Sequence, residues 1–92
     1  MTISKSDIVI SQNGRDEGKP FIVIGTNSNY YLLADGKTRR VENPKKKNNK
    51  HIKLDGRAED PIASKIINGD NVTNNEIRRA LAAYFTAQQG GM

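Results

Sequence analysis

The strongest constraint on what this chain can fold into is a change of period at Gly56. Before it, apolar residues come in short β-branched or aromatic runs set between turns. After it, they recur three and four residues apart. The first pattern belongs to strands and the second to amphipathic helices. The chain is therefore predicted to be mainly β over residues 1–57, with a helical segment over 58–92 packing on that part.

Asp7 to Ser11 is short and β-branched and reads as a first strand. Gln12 to Lys19 is a polar turn in which Gly14 and Gly18 are free to take positive φ. Pro20 to Gly25 holds Phe21-Ile22-Val23-Ile24, apolar at every position. Such a strand has core on both faces, or core on one and a helix on the other. Pro20 belongs at its start, where a missing N–H is tolerated. After a turn at Thr26 to Asn29, Tyr30 to Ala34 forms the next strand. Asp35-Gly36 is a hairpin signal, with Thr38 to Val41 as the return strand. Lys45 to Lys50 has no apolar residue and is expected to be a solvated loop. His51 to Leu54 alternates and closes the sheet. Five short strands joined by tight turns in about 50 residues point to a small five-stranded barrel.

Beyond Gly56, Asp60-Pro61 supplies an N-cap and a proline at the first helical position. Ile62, Ile66 and Ile67 form one face, and Gly69 ends the turn. Thr73 and Glu76 make a capping box. Ile77, Ala80, Leu81, Tyr84 and Phe85 then form a helical stripe, on a helix of roughly 14 residues ended by Gly90-Gly91. The stripe is expected to cover one open end of the barrel, with a frayed glycine-rich C-terminus after it.

Charge is concentrated. Eight basic residues and one acid lie between Lys37 and Lys53, a local charge of +7 in a chain whose total is +5. All the excess sits there, which points to a polyanionic partner, nucleic acid before an anionic membrane surface. Arg39 and Arg40, on the expected return strand, would point to opposite faces. Lysines act on phosphates as point charges, and arginines bridge phosphate oxygens bidentately.

The segment Ser6-Asp7-Ile8-Val9-Ile10-Ser11, Gly14-Arg15-Asp16-Glu17-Gly18-Lys19-Pro20, Phe21-Ile22-Val23-Ile24-Gly25 resembles the KOW motif, with Gly18 at its loop glycine. The continuation, Tyr31-Leu32-Leu33-Ala34-Asp35-Gly36-Lys37, then Arg39-Arg40-Val41-Glu42-Asn43-Pro44-Lys45-Lys46-Lys47-Asn48, then Lys50-His51, resembles the small bacterial KOW-domain RNA-binding proteins. Those in turn resemble a KOW-containing protein of the archaeal and eukaryotic large ribosomal subunit. The likeness covers Lys5 to Leu54. It implies an SH3-like barrel whose loops meet RNA or protein. It implies a role at the ribosome, with ribosomal RNA and ribosomal proteins as partners. It carries no role for the helical tail.

The residues expected to bind RNA are Arg15, Lys19, Lys37, Arg39, Arg40, Lys45, Lys46, Lys47, Lys50, His51 and Lys53. Of Tyr30 and Tyr31, one is expected in the core and the other outward. Five aromatics are too few for a single-strand stacking platform, so recognition should rest on phosphates and RNA shape. An enzyme is not expected. The chain has no Cys, a single His, no Walker-type loop and no carboxylate pair in an apolar setting. No metal or cofactor is expected either. No apolar run approaches the about 20 residues of a membrane span. No secretory leader is apparent, and a cytoplasmic location is expected. The competing readings are a protein-interaction module and a transcription-complex factor using the barrel edge or the helical stripe. The oligomeric state is left open.

Overall fold

In a computed structural model, which describes residues 2–90 and the side chains of 2–87, the chain is a five-stranded antiparallel sheet with two helices. The strands are β1 (Asp7–Ser11), β2 (Pro20–Thr26), β3 (Tyr31–Ala34), β4 (Lys45–Lys47) and β5 (Ile52–Arg57). The helices are α1 (Ile62–Asn68) and α2 (Asn74–Gly90). The strand order is β4-β3-β2-β1-β5, so β4 and β5 are the edges and the sheet is not closed.

Alternation along the central strands divides the core in two. Val9, Phe21, Val23, Leu33 and Ile52 are buried on one face with Ile3. Ile8, Ile22 and Ala34 point to the other, where Ala63 and Ile66 of α1 and Ile77 and Leu81 of α2 cover them. The unbroken apolar run of β2 is thus explained: one face meets the sheet's own core and the other meets helices. Two register shifts, at Ile8/Val9 against β5 and at Val23/Gly25 against β3, add an unpaired residue on one strand of each pair. Such bulges raise local twist and bend the sheet.

The capping box read from sequence is present in detail. The Thr73 hydroxyl accepts from the Glu76 N–H at 3.1 Å, and Glu76 Oε1 accepts from the Thr73 N–H at 3.0 Å. Gly69 takes φ +78° at the end of α1. Helix α1 starts one residue later than expected: Pro61 is its N-cap rather than its first position and makes no side-chain cap bond, while Asp60, just before it, accepts from the N–H and hydroxyl of Ser64.

Five expectations need correction. Thr38 to Val41 is not a strand. The Asp35 carboxylate accepts from the N–H groups of Lys37 and Arg39, at 2.9 and 2.8 Å, and from the Thr38 hydroxyl at 2.7 Å. A side chain that captures these groups competes with a ladder, and the segment closes as a turn. The return strand is instead Lys45–Lys47, within the run expected to be a loop, pairing Leu33 with Lys45 and Tyr31 with Lys47. Lysines suit an edge, where their charge blocks further strand addition. The stripe on α2 covers a sheet face rather than an open end, and Ile67 stays 54% exposed instead of joining Ile62 and Ile66. Helix α2 spans 17 residues and runs through Gly90. Gly91, half of the expected stop, and the C-terminus after it lie outside the described residues.

Candidate nucleic-acid interface

Asp16 sits in the turn between β1 and β2, with its side chain 7% exposed. Three cations from separate parts of the chain converge on it. Lys45 Nζ of β4 lies 3.0 Å from Oδ2, Arg39 Nη2 lies 3.2 Å from the same oxygen, and Lys19 Nζ lies 3.8 Å from Oδ1. The Lys45 hydrogen bond, together with Arg39, holds the Asp16 carboxyl below its ordinary range against the opposing effect of burial.

A second group forms around Asn13. Lys47 Nζ donates to the Asn13 carbonyl at 3.2 Å and to Oδ1 at 2.8 Å, and Asn13 Nδ2 lies 2.8 Å from His51 Nδ1. An ammonium only donates, so Oδ1 faces Lys47 and Nδ2 donates to His51 Nδ1. In the neutral imidazole the proton is then on Nε2. His51 ends a 3₁₀ turn, Asn49–His51, that links β4 to β5, and the Asn48 side chain caps this turn by accepting from the Lys50 N–H. The His51 carbonyl accepts from the Gln12 N–H at 2.8 Å. The two ends of the Lys-rich segment are therefore tied to the β1–β2 turn.

Lys46, between Lys45 and Lys47, points the other way. Its Nζ lies 5.1 Å from the Tyr30 ring centroid, a cation–π arrangement. Tyr31 packs against the core with Val23 and Leu33, so Tyr30 is the outward member of the pair. Beside it a recess of about 310 Å³ is lined by Asn27, Ser28, Asn29, Asn48 and Asn49 with the two tyrosines.

The remaining sequence-predicted residues are not gathered. Arg40 is exposed and paired with Glu42 at 3.0 Å. Arg39 is half-buried on Asp16, so the two arginines do differ in direction, but from a turn rather than a strand. Arg15, Lys37, Lys50 and Lys53 are exposed and form no ion pair among the described residues. Sequence reasoning missed Asp16 and Asn13. Neither carries a signal of its own, because both are ordinary turn residues and their partners lie far along the chain. The positive φ of Gly14 (+78°) and Gly18 (+84°), which shapes the turn, was legible.

Among the described residues no cluster of His, Asp or Glu could hold a metal ion, and no helix is long and apolar enough to cross a membrane. No protein-family profile matches the chain, and no curated protein is significantly similar to it.

Proposed function

We propose that this protein binds structured RNA, ribosomal RNA foremost, through phosphate and shape contacts, as a KOW-type SH3-like barrel acting at the ribosome in the cytoplasm. The observation that carries the reading is that the centre of the +7 segment, Lys45–Lys47, is an ordered edge strand of the sheet. Lys45, Lys46 and Lys47 are held by strand pairing, and Lys45 and Lys47 are held again by Asp16 and Asn13. A solvated tail would have to order its lysines on binding. These are ordered already, which lowers the entropic cost of meeting a fixed array of phosphates.

The barrel reading is supported by the order β4-β3-β2-β1-β5, in which the last strand returns to pair with the first, and by the apolar core on one bent face. The asparagine-lined recess beside Tyr30 and Lys46 adds neutral amides that can hydrogen-bond sugar hydroxyls or unpaired base edges. In A-form duplexes the major groove hides its base edges, so cations on a rigid edge read phosphate spacing and the 2′-hydroxyls.

The test is sedimentation of the tagged protein in a cell-lysate gradient at low salt and at about 0.5 M salt, where phosphate contacts are weakened by counterion competition. Co-migration with large ribosomal subunits that weakens at high salt is the expected result. Protein that stays at the top of both gradients overturns the ribosomal assignment. A partner retained through nuclease and high salt identifies an interaction module instead.

A further inference from the structure

We infer that Asp16 is a positioning residue that makes Lys19, Arg39 and Lys45 into one pre-organised phosphate subsite. The inference deepens the RNA-binding reading and rests on it for the source of the phosphate.

Three like charges meeting at one point repel one another, and although strand pairing, the Lys47–Asn13 contact and the packing of the 35–44 segment on α2 bring the segments close, those contacts do not offset this repulsion. A single carboxylate holds all three: Lys45 and Arg39 share Oδ2 and Lys19 approaches Oδ1. It cancels one charge and leaves a local surplus of two, suited to a phosphodiester or to a more highly charged phosphate. The cation side chains stay open to solvent in part, 52% for Lys19, 36% for Arg39 and 22% for Lys45, while the carboxylate beneath them is 7% exposed.

The donors are only partly used. Arg39 commits Nη2 to Asp16. Its Nε and Nη1 have no partner among the described residues, and Nη2 keeps a second N–H, which together with the N–H of Nε or of Nη1 on its edge can bond an oxyanion bidentately. The Lys45 ammonium has three donors and gives one to Asp16. Long cationic side chains normally lose rotamer freedom when they bind. Here the carboxylate has fixed them beforehand, as a ligand-orienting partner does in a metal site. Glu17 and Arg15, which flank Asp16 in the chain, are exposed and form no ion pair among the described residues.

A carboxylate that merely staples the turn to β4 gives a different result from one that positions donors, and an isosteric change separates them. Asp16→Asn raises the protein's charge by one. Diffuse attraction then makes anions bind equally or more tightly. Loss of a positioning group makes them bind less tightly, because the amide presents a donor to the cations and releases them.

The experiment is an NMR titration of the full chain with inorganic pyrophosphate at fixed low ionic strength, following the Arg39 Nε–H and the backbone amides of Lys19 and Lys45. Saturable shifts at these groups are expected in the wild type. Asp16→Asn should weaken the apparent affinity about fivefold or more, the scale of one or two side chains left unordered. Lys45→Gln should weaken it similarly. Arg79→Gln, the same charge change at an exposed position on α2, should change it less than about twofold, by long-range screening alone. Equal or tighter binding by Asp16→Asn overturns the inference, as does an equal loss in Lys45→Gln and Arg79→Gln. If Asp16→Asn does not fold, the second comparison decides. A wild type that takes pyrophosphate at these groups but ignores an RNA hairpin overturns the RNA reading alone. One that binds the hairpin without shifts at these groups overturns the subsite alone.

Discussion

The backbone of Gly36 is packed directly on that of Asn74. A Cβ at position 36 would run into the Asn74 carbonyl oxygen and the backbone of Arg78. Arg78 Nη1 donates to the Gly36 carbonyl at 2.5 Å, and Asn74 Oδ1 accepts from the Val41 N–H at 2.8 Å. The first turn of α2 is therefore what holds the 35–44 segment, and with it Arg39, against the sheet.

Gly36→Ala should expose that dependence. Gly36 has φ +77°, where an L-residue is strained, and the added methyl meets backbone that has nowhere to move. The left-handed conformation alone costs about 1–2 kcal/mol. With the collision, the loss should exceed about 2 kcal/mol in urea unfolding at pH 7. Gly18→Ala, with φ +84° but open space around the added carbon, should lose only the conformational part. Equal losses at the two positions would show that the contact with α2 contributes nothing.

Acid should unfold the chain partly through Asp16. Its pKa is lowered chiefly by the Lys45 hydrogen bond. A carboxyl whose folded pKa is depressed contributes stability that is complete above its unfolded pKa and is lost as pH falls through the folded value. Stability should therefore decline from about pH 4 downward, the ordinary carboxylate range. Glu42 adds to the same decline over a wider span, since Asn74, its own backbone N–H and Arg40 hold it at about 2. Melting curves collected from pH 7 to 2 should show a shallower decline for Asp16→Asn than for the wild type. Parallel curves would mean that the ion pairs on Asp16 are energetically silent.

The same residues show where sequence reasoning reaches and where it stops. Strands β1 and β2 were legible because their own side chains decide them: Ile8 and Val9, or Phe21 and Ile22, must bury on opposite faces. The capping box at Thr73 and Glu76 was legible because it is a local exchange of hydrogen bonds. Strand β4 was not, because nothing in Lys45-Lys46-Lys47 favours a strand. It forms because β3 offers an unpaired edge, and Lys45 and Lys47 find partners in the β1–β2 turn. The hairpin signal at Asp35-Gly36 failed because the Asp35 side chain outbid the ladder for the N–H groups of Lys37 and Arg39. The charge surplus was visible as a count, but its organisation around Asp16 depends on contacts that only the fold makes.

Changing Lys46, Lys50 and Lys53 together to Ala should separate RNA binding from stability. All three are exposed, none is in an ion pair among the described residues, and only Lys46 has a ring partner, Tyr30. For the wild type, a footprint of about six to eight charges corresponds to a slope of log affinity against log salt of about −4 to −7. The triple variant should flatten that slope by about 2–3 and leave the melting temperature nearly unchanged. Lys45→Ala should behave differently, lowering the melting temperature as well, because it strips a buried carboxylate of its nearest cation. Fluorescence anisotropy with an RNA hairpin across a salt series, beside thermal melts, reads both. An unchanged slope in the triple variant would remove these lysines from the interface.

Ser6 is the one residue whose replacement should strengthen the fold. It has φ 75°, the only positive φ outside glycine among the described residues, and it is fully buried. Its backbone is in use, donating to the Val23 carbonyl at 2.8 Å and accepting from the Ala58 N–H at 2.9 Å. Its hydroxyl has no hydrogen-bond partner. Ser6→Gly removes a left-handed penalty of about 1–2 kcal/mol and an unpaired buried hydroxyl worth about 1–3 kcal/mol. Against this stands the extra freedom of glycine in the unfolded chain, about 0.5–1 kcal/mol. The balance is a gain of about 1 kcal/mol or more. Ser6→Ala drops the hydroxyl but keeps the backbone strain, so it should fall between glycine and the wild type. Urea midpoints at constant m-value give the order directly. A glycine variant less stable than the wild type would mean that position 6 is not strained and that its hydroxyl is satisfied.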